Sequence, residues 1–377
     1  MNPIFPAPDK NYMQIKDIIR VIENFAPLQL QEPYDNAGLI IGNKETELKK
    51  ILLCLDSTED VVDEAIAEGC NLVIAHHPII FNGLKKINGN NYIERVIIKA
   101  IQNNIAIYAA HTNADNVING VNNKIFEKLG IRNGKILAPK KNILKKLITF
   151  CPPDQAHSVR QAMFAAGAGH IGEYDECSYN TEGTGTFKPS QKARPFAGEP
   201  GKQQEEKELK IETIYPFYLE TKILEALITT HPYEEVAYDI IPLGNKHPLI
   251  GSGMIGELDK EQTEMEFLAL VKETMKTSCI KYTRLLNKPV KKVAVCGGSG
   301  SFLLKDAIAA GADVFITSDF KYHQFFDAEN KILIADIGHY ESEQFTIEIF
   351  YRLLIENFPK FAVCLSKKNT NPINYMK

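Results

Sequence analysis

The sequence predicts an α/β protein with largely parallel sheets, and three observations lead to this fold class. Short apolar runs alternate with segments of helical periodicity along most of the chain, as in a parallel sheet covered by helices on both faces. The length of 377 residues predicts two or three domains, and 44% hydrophobic with 24% charged residues is typical of a globular protein. A middle segment has a different order of elements, which predicts an inserted domain.

The first part of the chain, residues 1–144, begins the α/β pattern. Apolar residues at helical spacing predict a first helix from Met13 to about Ala26. Gly69 is a typical C-terminal signal for the second predicted helix. The elements predicted after the first helix are a strand at 50–56, a helix at 58–69, a strand at 71–75, a helix at 92–104 and a strand at 105–110.

The middle segment, residues 145–242, predicts an α+β domain with the order β-α-β-β-α-β, which is that of a ferredoxin-like fold. Residues 188–207 are poor in apolar side chains and rich in Pro, Gly, Gln and Glu, so we expect a long exposed loop there. The predicted elements are strands at 147–151, 208–215 and 236–242, two strand-like pieces at 174–179 and 184–187, and helices at 153–166 and 217–230.

The last part, residues 243–377, resumes the α/β pattern and predicts the second portion of the same core. The interrupted pattern therefore predicts three segments, 1–144, 145–242 and 243–377, of which the middle one is the insertion. The predicted elements of the last segment are helices at 264–275, 303–311 and 343–357 and strands at 291–296, 313–317 and 331–337.

Composition excludes several classes of protein. The formal net charge of -4 gives no bulk basicity for nonspecific nucleic-acid binding. We find no apolar run of about 18 residues, and the N-terminal segment lacks the basic and apolar regions of a secretion signal, so we expect neither a membrane span nor secretion. The seven cysteines contain no C-x-x-C pair and lie mostly in apolar runs, which predicts reduced thiols and a cytoplasmic location.

Histidines collect after the predicted strands. Five of the nine histidines follow strands directly: His76, His77, His111, His323 and His339. The carboxyl ends of parallel strands line one crevice, so we expect these side chains to converge. Adjacent residues of an extended chain point in opposite directions, so His76 and His77 are expected to serve different ions. The pattern predicts a metal site at this edge of the core.

Two carboxylates complete the predicted metal site. Asp115 lies four residues after His111, and a carboxylate can bridge two cations, so we expect Asp115 to be the bridge. His339 and Glu343 are spaced i and i+4 and project from one face of a helix start. Imidazole and carboxylate ligands suit Zn, Fe, Mn, Co or Ni. The predicted ligands are His76, His77, Asp115, His339 and Glu343, with His111 as a further ligand or a partner of the ligands.

Each of these motifs taken alone also has a purely structural interpretation, and two further pieces share that ambiguity. In the glycine-rich turn, backbone N–H groups can face an anion, although such turns also exist for close packing; the turn contains Gly297, Gly298, Ser299 and Gly300. After the next strand, Asp319 and His323 are candidates for proton transfer or substrate contact, with local turn capping as the alternative.

Seven short motifs in a fixed order resemble those of the NIF3-like family, also called GTP cyclohydrolase 1 type 2. They are AHHP, HTNAD, HPYEEVAYD, GSGMIGEL, CGGSGS, TSDFKYH and DIGHYESE. The resemblance implies a two-lobed core with two divalent cations, a PII-like or CutA-like ferredoxin-fold insertion, and a toroidal homohexamer. The family's metal positions fall on the same five residues. The family's WDN turn reads Tyr34-Asp35-Asn36 here.

The resemblance also implies a metal-dependent hydrolase that acts on a small molecule, GTP or another nucleotide. Metal-activated water would attack C8 of the guanine ring, open the ring and release formate. The glycine turn at 297–300 would then contact the triphosphate, and Asp319 or His323 would transfer protons to ring nitrogens. Two alternatives stay open: a dinuclear phosphoesterase, and a noncatalytic metal-binding hexameric scaffold or regulator whose inserted domain senses a ligand.

Overall fold

The computed structural model describes residues 13–376 and divides the chain into two compact units. Of the described residues, the first unit contains 13–139 and 248–376, and the second is Lys140–His247. The expectation of no secretion signal falls largely on residues 1–12, outside the described residues. Among the residues described, no helix has both the length and the apolar character needed to cross a membrane.

Short strands and helices alternate along most of the described chain. The strands are β1 (Gly38–Ile41), β2 (Ile51–Cys54), β3 (Leu72–Ala75), β4 (Ala106–Ala109), β5 (Arg132–Pro139), β6 (Leu144–Cys151), β7 (Ser178–Phe187), β8 (Gln204–Pro216), β9 (Tyr238–Pro242), β10 (Gly251–Thr263), β11 (Lys281–Tyr282), β12 (Pro289–Ser299), β13 (Val314–Ser318), β14 (Leu333–Asp336) and β15 (Val363–Leu365). The helices are α1 (Ile15–Phe25), α2 (Glu59–Ala67), α3 (Tyr92–Gln102), α4 (Thr112–Asp115), α5 (Val121–Leu129), α6 (Ala156–Ala165), α7 (Glu220–Thr230), α8 (Glu264–Thr274), α9 (Leu304–Ala309), α10 (His339–Glu343) and α11 (Thr346–Asn357).

The first unit contains a five-stranded sheet of order β1-β4-β3-β2-β15, in which only β1 is antiparallel to its neighbour. Alternate residues of its strands face opposite sides. Leu53 and Ile74 pack on α1 and α11, whereas Leu52 and Val73 pack on α2 and α3. Because both faces are covered, these strands are apolar throughout, which is why their sequences read as continuous runs. The carboxyl ends of the parallel strands β2, β3, β4 and β15 lie at one edge of the sheet.

The second sheet of the first unit has the order β11-β14-β13-β12-β10-β5. β12, β13 and β14 are parallel, as predicted, but β5, β10 and β11 are antiparallel to their neighbours. The prediction of largely parallel sheets therefore holds for the first sheet and only for the centre of the second. The strand β10 was not predicted, because glycines interrupt its apolar pattern. At Gly256, a Cβ would lie 2.5 Å from the carbonyl oxygen of Arg132 on β5, so close strand packing requires glycine there.

The second unit is a four-stranded antiparallel sheet of order β7-β8-β6-β9, with the chain order β-α-β-β-α-β. α6 and α7 pack against its core through Val159, Met163, Ile223 and Leu227. β7 is one continuous strand where the sequence predicted two pieces. β8 begins at Gln204, inside the predicted loop, because its polar residues pair with β7 in a long hairpin.

Candidate metal centre

Six side chains of the ligand type converge in the first unit, where strands of both sheets end. They are His76 and His77 after β3, His111 and Asp115 after β4, and His339 and Glu343 on α10 after β14. The short α10 ends before α11, so the predicted helix at 343–357 starts at Thr346 instead. The structure thus brings together all five predicted ligands and His111, although they are up to 267 positions apart in the sequence.

One group of ligand atoms contains Nε2 of His77, Nε2 of His339 and one carboxylate oxygen of Glu343. Oε2 of Glu343 lies 3.0 Å from Nε2 of His77 and 3.1 Å from Nε2 of His339. The two Nε2 atoms are 3.3 Å apart. Ligand atoms of a tetrahedral site with metal distances of about 2.0–2.1 Å are separated by roughly 3.3 Å. The spacing of this group therefore fits one divalent cation.

A second group contains His76, Asp115 and the other oxygen of Glu343. Nε2 of His76 lies 3.8 Å from Oδ1 of Asp115 and 3.7 Å from Oε1 of Glu343. In the described part of the chain, neither Nε2 of His76 nor Oδ1 of Asp115 has a hydrogen-bond partner, and both atoms are buried. Buried polar atoms without a partner are unfavourable, so this pair also fits a cation.

Glu343 belongs to both groups, one through each carboxylate oxygen. The sequence predicted Asp115 as the bridge between two cations, but in the structure the carboxylate with one oxygen in each group is Glu343. The reason is local: α10 places Glu343 between His76 and His77, whereas Asp115 approaches only His76 within ion-pair distance. The prediction that adjacent histidines serve different groups agrees with this geometry.

His111 forms a third group with His76 and His77. Its Nδ1 lies 2.7 Å from Oδ1 of Asp35, whose carboxylate also accepts hydrogen bonds from the backbone N–H and the hydroxyl of Thr112. Burial favours protonation of Asp35, but the hydrogen bond and charge of His111 lower the pKa of Asp35 to about 2. His111 is therefore fixed within ligand range of the other two histidines.

The Nδ1 atom of each of the other three imidazoles also contacts an oxygen atom. Nδ1 of His76 lies 2.8 Å from the carbonyl oxygen of Ala110, which can only accept, so this nitrogen carries the proton and Nε2 has a free lone pair. Nδ1 of His77 lies 2.7 Å from Oδ1 of Asp56, and Nδ1 of His339 lies 2.6 Å from Oδ2 of Asp319. Such contacts orient metal-binding histidines and set their tautomer.

Asp56 and Asp35 are the site residues that sequence reasoning missed. Asp56 lies two residues after the end of β2, as His111 does after β4, so the strand-end criterion used for the histidines also applies to it. Asp35 lies in the Tyr34-Asp35-Asn36 turn, and its side chain accepts a hydrogen bond from the backbone N–H of Asn36 at 2.7 Å. Its second contact, with His111, joins positions 76 residues apart and has no sequence signal.

Burial and charge shift the acid–base properties of the ligands. Burial lowers the pKa of His76 and so favours the neutral form that binds metals. Burial and the negative charge of Glu343 raise the pKa of Asp115 well above its usual range. For Glu343, burial acts in the same direction, but the charge of His339 and hydrogen bonds with the histidines outweigh it and hold the pKa of Glu343 well below its usual range.

The glycine turn packs against the ligands, which supports the packing alternative. The backbone N–H of Gly297 donates to Oδ1 of Asn122, and that of Gly298 donates to Oγ of Ser342, both at 2.9 Å. These two N–H groups are therefore engaged, contrary to the expectation that they face an anion. Gly298 has a φ of +62°, and a Cβ there would lie 2.4 Å from Oε1 of Glu343.

Asp319 and His323 are placed differently from each other. Asp319 contacts His339, so it orients a candidate ligand. His323 is exposed and packs beside Tyr322 and Phe326, with ring centroids 5.2 and 6.4 Å away. The structure does not bring His323 to the ligand groups, and its predicted role in proton transfer stays a prediction.

A cavity of about 530 Å³ opens beside the ligand groups. His77, His111, Asp115, His339 and Glu343 line it, together with Gly297, Gly298 and Ser299. Exposed aromatic side chains also line it, namely Tyr34, Phe81, Tyr92 and Phe302. The cavity has the size of a small-molecule site and offers ring surfaces next to the candidate metal ligands.

Comparison with known proteins finds similarity over nearly the whole chain. A family model described as Duf34/NIF3 (NGG1p interacting factor 3) matches residues 13–372. A Halalkalibacterium halodurans protein named GTP cyclohydrolase 1 type 2 homolog is 39% identical over 364 residues, which are 95% of this chain and 98% of that protein. A Bacillus subtilis protein of the same name is 39% identical over 367 residues, or 96% and 98%. The crystal structure of a Bacillus cereus protein related to NIF3 has a TM-score of 0.85 at 39% identity, covering 97% of this chain and all of that one.

Proposed function

This chain belongs to the Duf34/NIF3 family, and from that premise we propose that it is a metal-dependent hydrolase with two divalent cations. The observation that carries the proposal is the sharing of Glu343 between two ligand groups, one of which contains the unpartnered Nε2 of His76 and Oδ1 of Asp115. Zn, Fe, Mn, Co or Ni fits these donors. Such cations, when bound, lower the pKa of water and polarise a substrate.

The chain's own residues have distinct parts in this proposal. His77, His339 and Glu343 hold one cation, and His76, Asp115 and Glu343 hold the other. His111 is placed to complete either set. Asp56 and Asp319 fix the rings of His77 and His339, so we assign them as positioning residues rather than proton-transfer groups.

We propose a guanine nucleotide as substrate, with attack of water at C8 of the ring, ring opening and loss of formate. The names of the relatives support this choice. The exposed rings of Tyr34, Phe81, Tyr92 and Phe302 support binding of a planar base beside the ligands, because aromatic side chains stack on bases. The engaged N–H groups of Gly297 and Gly298 speak against the predicted triphosphate contact there, so ring contacts would dominate binding.

The test is turnover by protein purified without nickel resin and reloaded with each of the five metals. GTP and guanosine are supplied separately, and formate and inorganic phosphate are both measured. Formate without phosphate supports the proposal. Phosphate alone would indicate the phosphoesterase, and metal binding without any product would indicate a scaffold or regulator. Glu343→Gln should abolish formate release, whereas the exposed Asp306→Asn should not change it.

We also propose the family's homohexamer as the assembly, a PII-like or CutA-like identity for the second unit, and a cytoplasmic location. Exposed Tyr282, Tyr322 and Phe326 beside a surface cavity of about 570 Å³ support an interface on the first unit. The sheet order of the second unit supports the ferredoxin-like relationship. The seven cysteines are unpaired, which fits a reducing compartment. Light scattering should give a particle mass equal to that of six chains, and the mass of a monomer or dimer would contradict the hexamer.

A further inference from the structure

The second unit contains its own cavity, of about 360 Å³. It is lined by the end of β7 and the following loop, by Glu208 on β8, and by the segment after α7 that carries Tyr233, Glu234 and Glu235. That segment is the motif HPYEEVAYD, which the proposed metal chemistry does not use. The cavity lies within the size range of small-molecule sites.

Four aromatic side chains line this cavity, from Phe150, Phe187, Phe196 and Tyr233. The centroid of Tyr233 lies 6.4 Å from that of Phe187 and 6.1 Å from that of Phe196, and the ring planes are inclined by 49° and 47°. Phe196 is 56% exposed, so much of its surface is open to contact. The face of an aromatic ring carries partial negative charge and attracts a cation, so neighbouring rings at a cavity wall offer surfaces for a cationic ligand.

Tyr233 is held firmly in place. Its hydroxyl donates to Oε1 of Glu208 at 2.8 Å, and its backbone N–H donates to Nδ1 of His231 at 3.1 Å. The other ring nitrogen of His231 donates to the carbonyl oxygen of Phe150 at 2.9 Å, and the His231 ring packs edge-on against Tyr233 at 5.0 Å. The neutral His231 thus fixes the backbone and ring of Tyr233, so the aromatic wall is preorganised.

The charge around the cavity is negative. Three carboxylates line it, from Glu208, Glu234 and Glu235, against one lysine, Lys188. A Cβ at Gly185 would lie 2.2 Å from Oε2 of Glu208, so glycine at this position of β7 leaves room for that carboxylate. Negative charge beside aromatic faces disfavours an anionic ligand and favours an organic cation.

We propose that this cavity is a binding site for a small organic cation, such as a quaternary or methylated ammonium group. The ammonium group lies against Phe187, Phe196 and Tyr233, and the glutamates provide the countercharge. A bare metal ion would gain little from the rings, and a neutral apolar ligand would gain nothing from the glutamates. The proposal uses residues of the second unit alone and is independent of the metal centre.

The test compares ligands of the same shape that differ in charge. Binding of choline and tetramethylammonium to the full chain is measured by calorimetry and compared with 3,3-dimethylbutan-1-ol, the neutral isostere of choline. We expect choline to bind at least about fivefold more tightly than the isostere, in keeping with the strength of cation–π contacts. Phe196→Ala and Glu235→Gln should each weaken choline binding. The matched control is Tyr179→Ala, which removes a 71% exposed ring of β7 that does not line the cavity.

Three outcomes would overturn the proposal. Equal binding of choline and the isostere would show an apolar site without charge selectivity. If neither compound binds, the cavity is not a binding site for ligands of this kind. Loss of binding in Tyr179→Ala but not in Phe196→Ala would place the ligand elsewhere. Circular dichroism of each variant checks that folding is retained, and Phe196 lies in an exposed loop where truncation leaves the core intact.

Discussion

Nε2 of His76 and Oδ1 of Asp115 lie 3.8 Å apart, both are buried, and neither has a hydrogen-bond partner within residues 13–376. A buried polar atom without a partner costs about 1–3 kcal/mol. A cation held by these two side chains would offset this cost, because each of the two atoms could give it a lone pair. On the proposed metal binding, we expect substitutions in the two ligand groups to change metal content in different ways.

Asp115→Asn should empty one group and leave the other filled. Asp115 approaches His76 alone, whereas Glu343 has an oxygen in each group. We therefore expect metal content to fall from about two ions per chain to about one in Asp115→Asn, and further in Glu343→Gln. Mass spectrometry of metals after dialysis measures this, with Asp306→Asn as the exposed control. The reverse ranking of the two variants would assign the bridge to Asp115.

The ligand histidines were predictable from sequence because strand ends of an α/β sheet share one edge. His76, His77 and His339 each follow a buried apolar run, and that pattern needs no knowledge of side-chain contacts. The contacts that orient them were not predictable. Asp35 meets His111 only because a turn near the N-terminus folds over the end of β4, and no local spacing encodes such a contact.

The fold, too, was predictable from the sequence only in part. The parallel strands β2, β3, β4, β12, β13 and β14 were predicted, but the three-residue parallel strand β15 was not. The strands β5 and β10 were missed because antiparallel strands with glycines and exposed polar residues lack a continuous apolar run. The long β7–β8 hairpin was partly taken for a loop. Its two polar strands are held together by backbone pairing, from Ser178 opposite Thr213 to Phe187 opposite Gln204. Amino-acid composition does not indicate such pairing.

Gly298→Ala should disturb metal binding rather than anion binding. An alanine Cβ would lie 2.4 Å from Oε1 of Glu343, and the φ of +62° disfavours any side chain by about 1 kcal/mol. We expect lower metal content and a lower melting temperature. Gly311→Ala is the matched control, because its φ is +72° but nothing lies within 4 Å of the added Cβ. Full metal content with weakened nucleotide binding would instead support an anion site at the turn.

Asp319→Ala should weaken metal binding through His339. Oδ2 of Asp319 lies 2.6 Å from Nδ1 of His339, and loss of such a partner typically lowers metal affinity by about 10–100-fold. Asp319→Asn keeps an acceptor oxygen and should have a smaller effect. The sequence interpretation, proton transfer, predicts lost turnover at unchanged metal affinity. Titration with a competing chelator decides between them, with exposed Asp327→Ala as the control.

Metal uptake should release protons. Burial lowers the pKa of His77, but hydrogen bonds to Asp56 and Glu343 outweigh it and raise the pKa to about 10. Burial also lowers the pKa of His339, but the charge of Glu343 and the contact with Asp319 raise it to about 11. Both rings are therefore protonated without metal at pH 7.5, and each must lose a proton to bind. Metal affinity should rise with pH.

Calorimetry in two buffers of different ionisation enthalpy counts the released protons, and we expect at least about two per chain at pH 7.5, one each from His77 and His339. His323→Gln should not change the count, because His323 is exposed and belongs to none of the three ligand groups. A count of zero would mean that His77 and His339 are already neutral in the metal-free protein.

Replacing residues 141–246 by a short Gly-Ser linker should leave a folded first unit that binds metal. The backbone N–H of His247 donates to the carbonyl oxygen of Lys140 at 2.8 Å, so the ends to be joined already meet. The three groups of candidate ligands all lie in the first unit, and each unit has its own buried core. Circular dichroism and metal content measure the outcome: a folded protein without metal would show that the second unit contributes ligands, whereas retained metal with lost choline binding would separate the two sites.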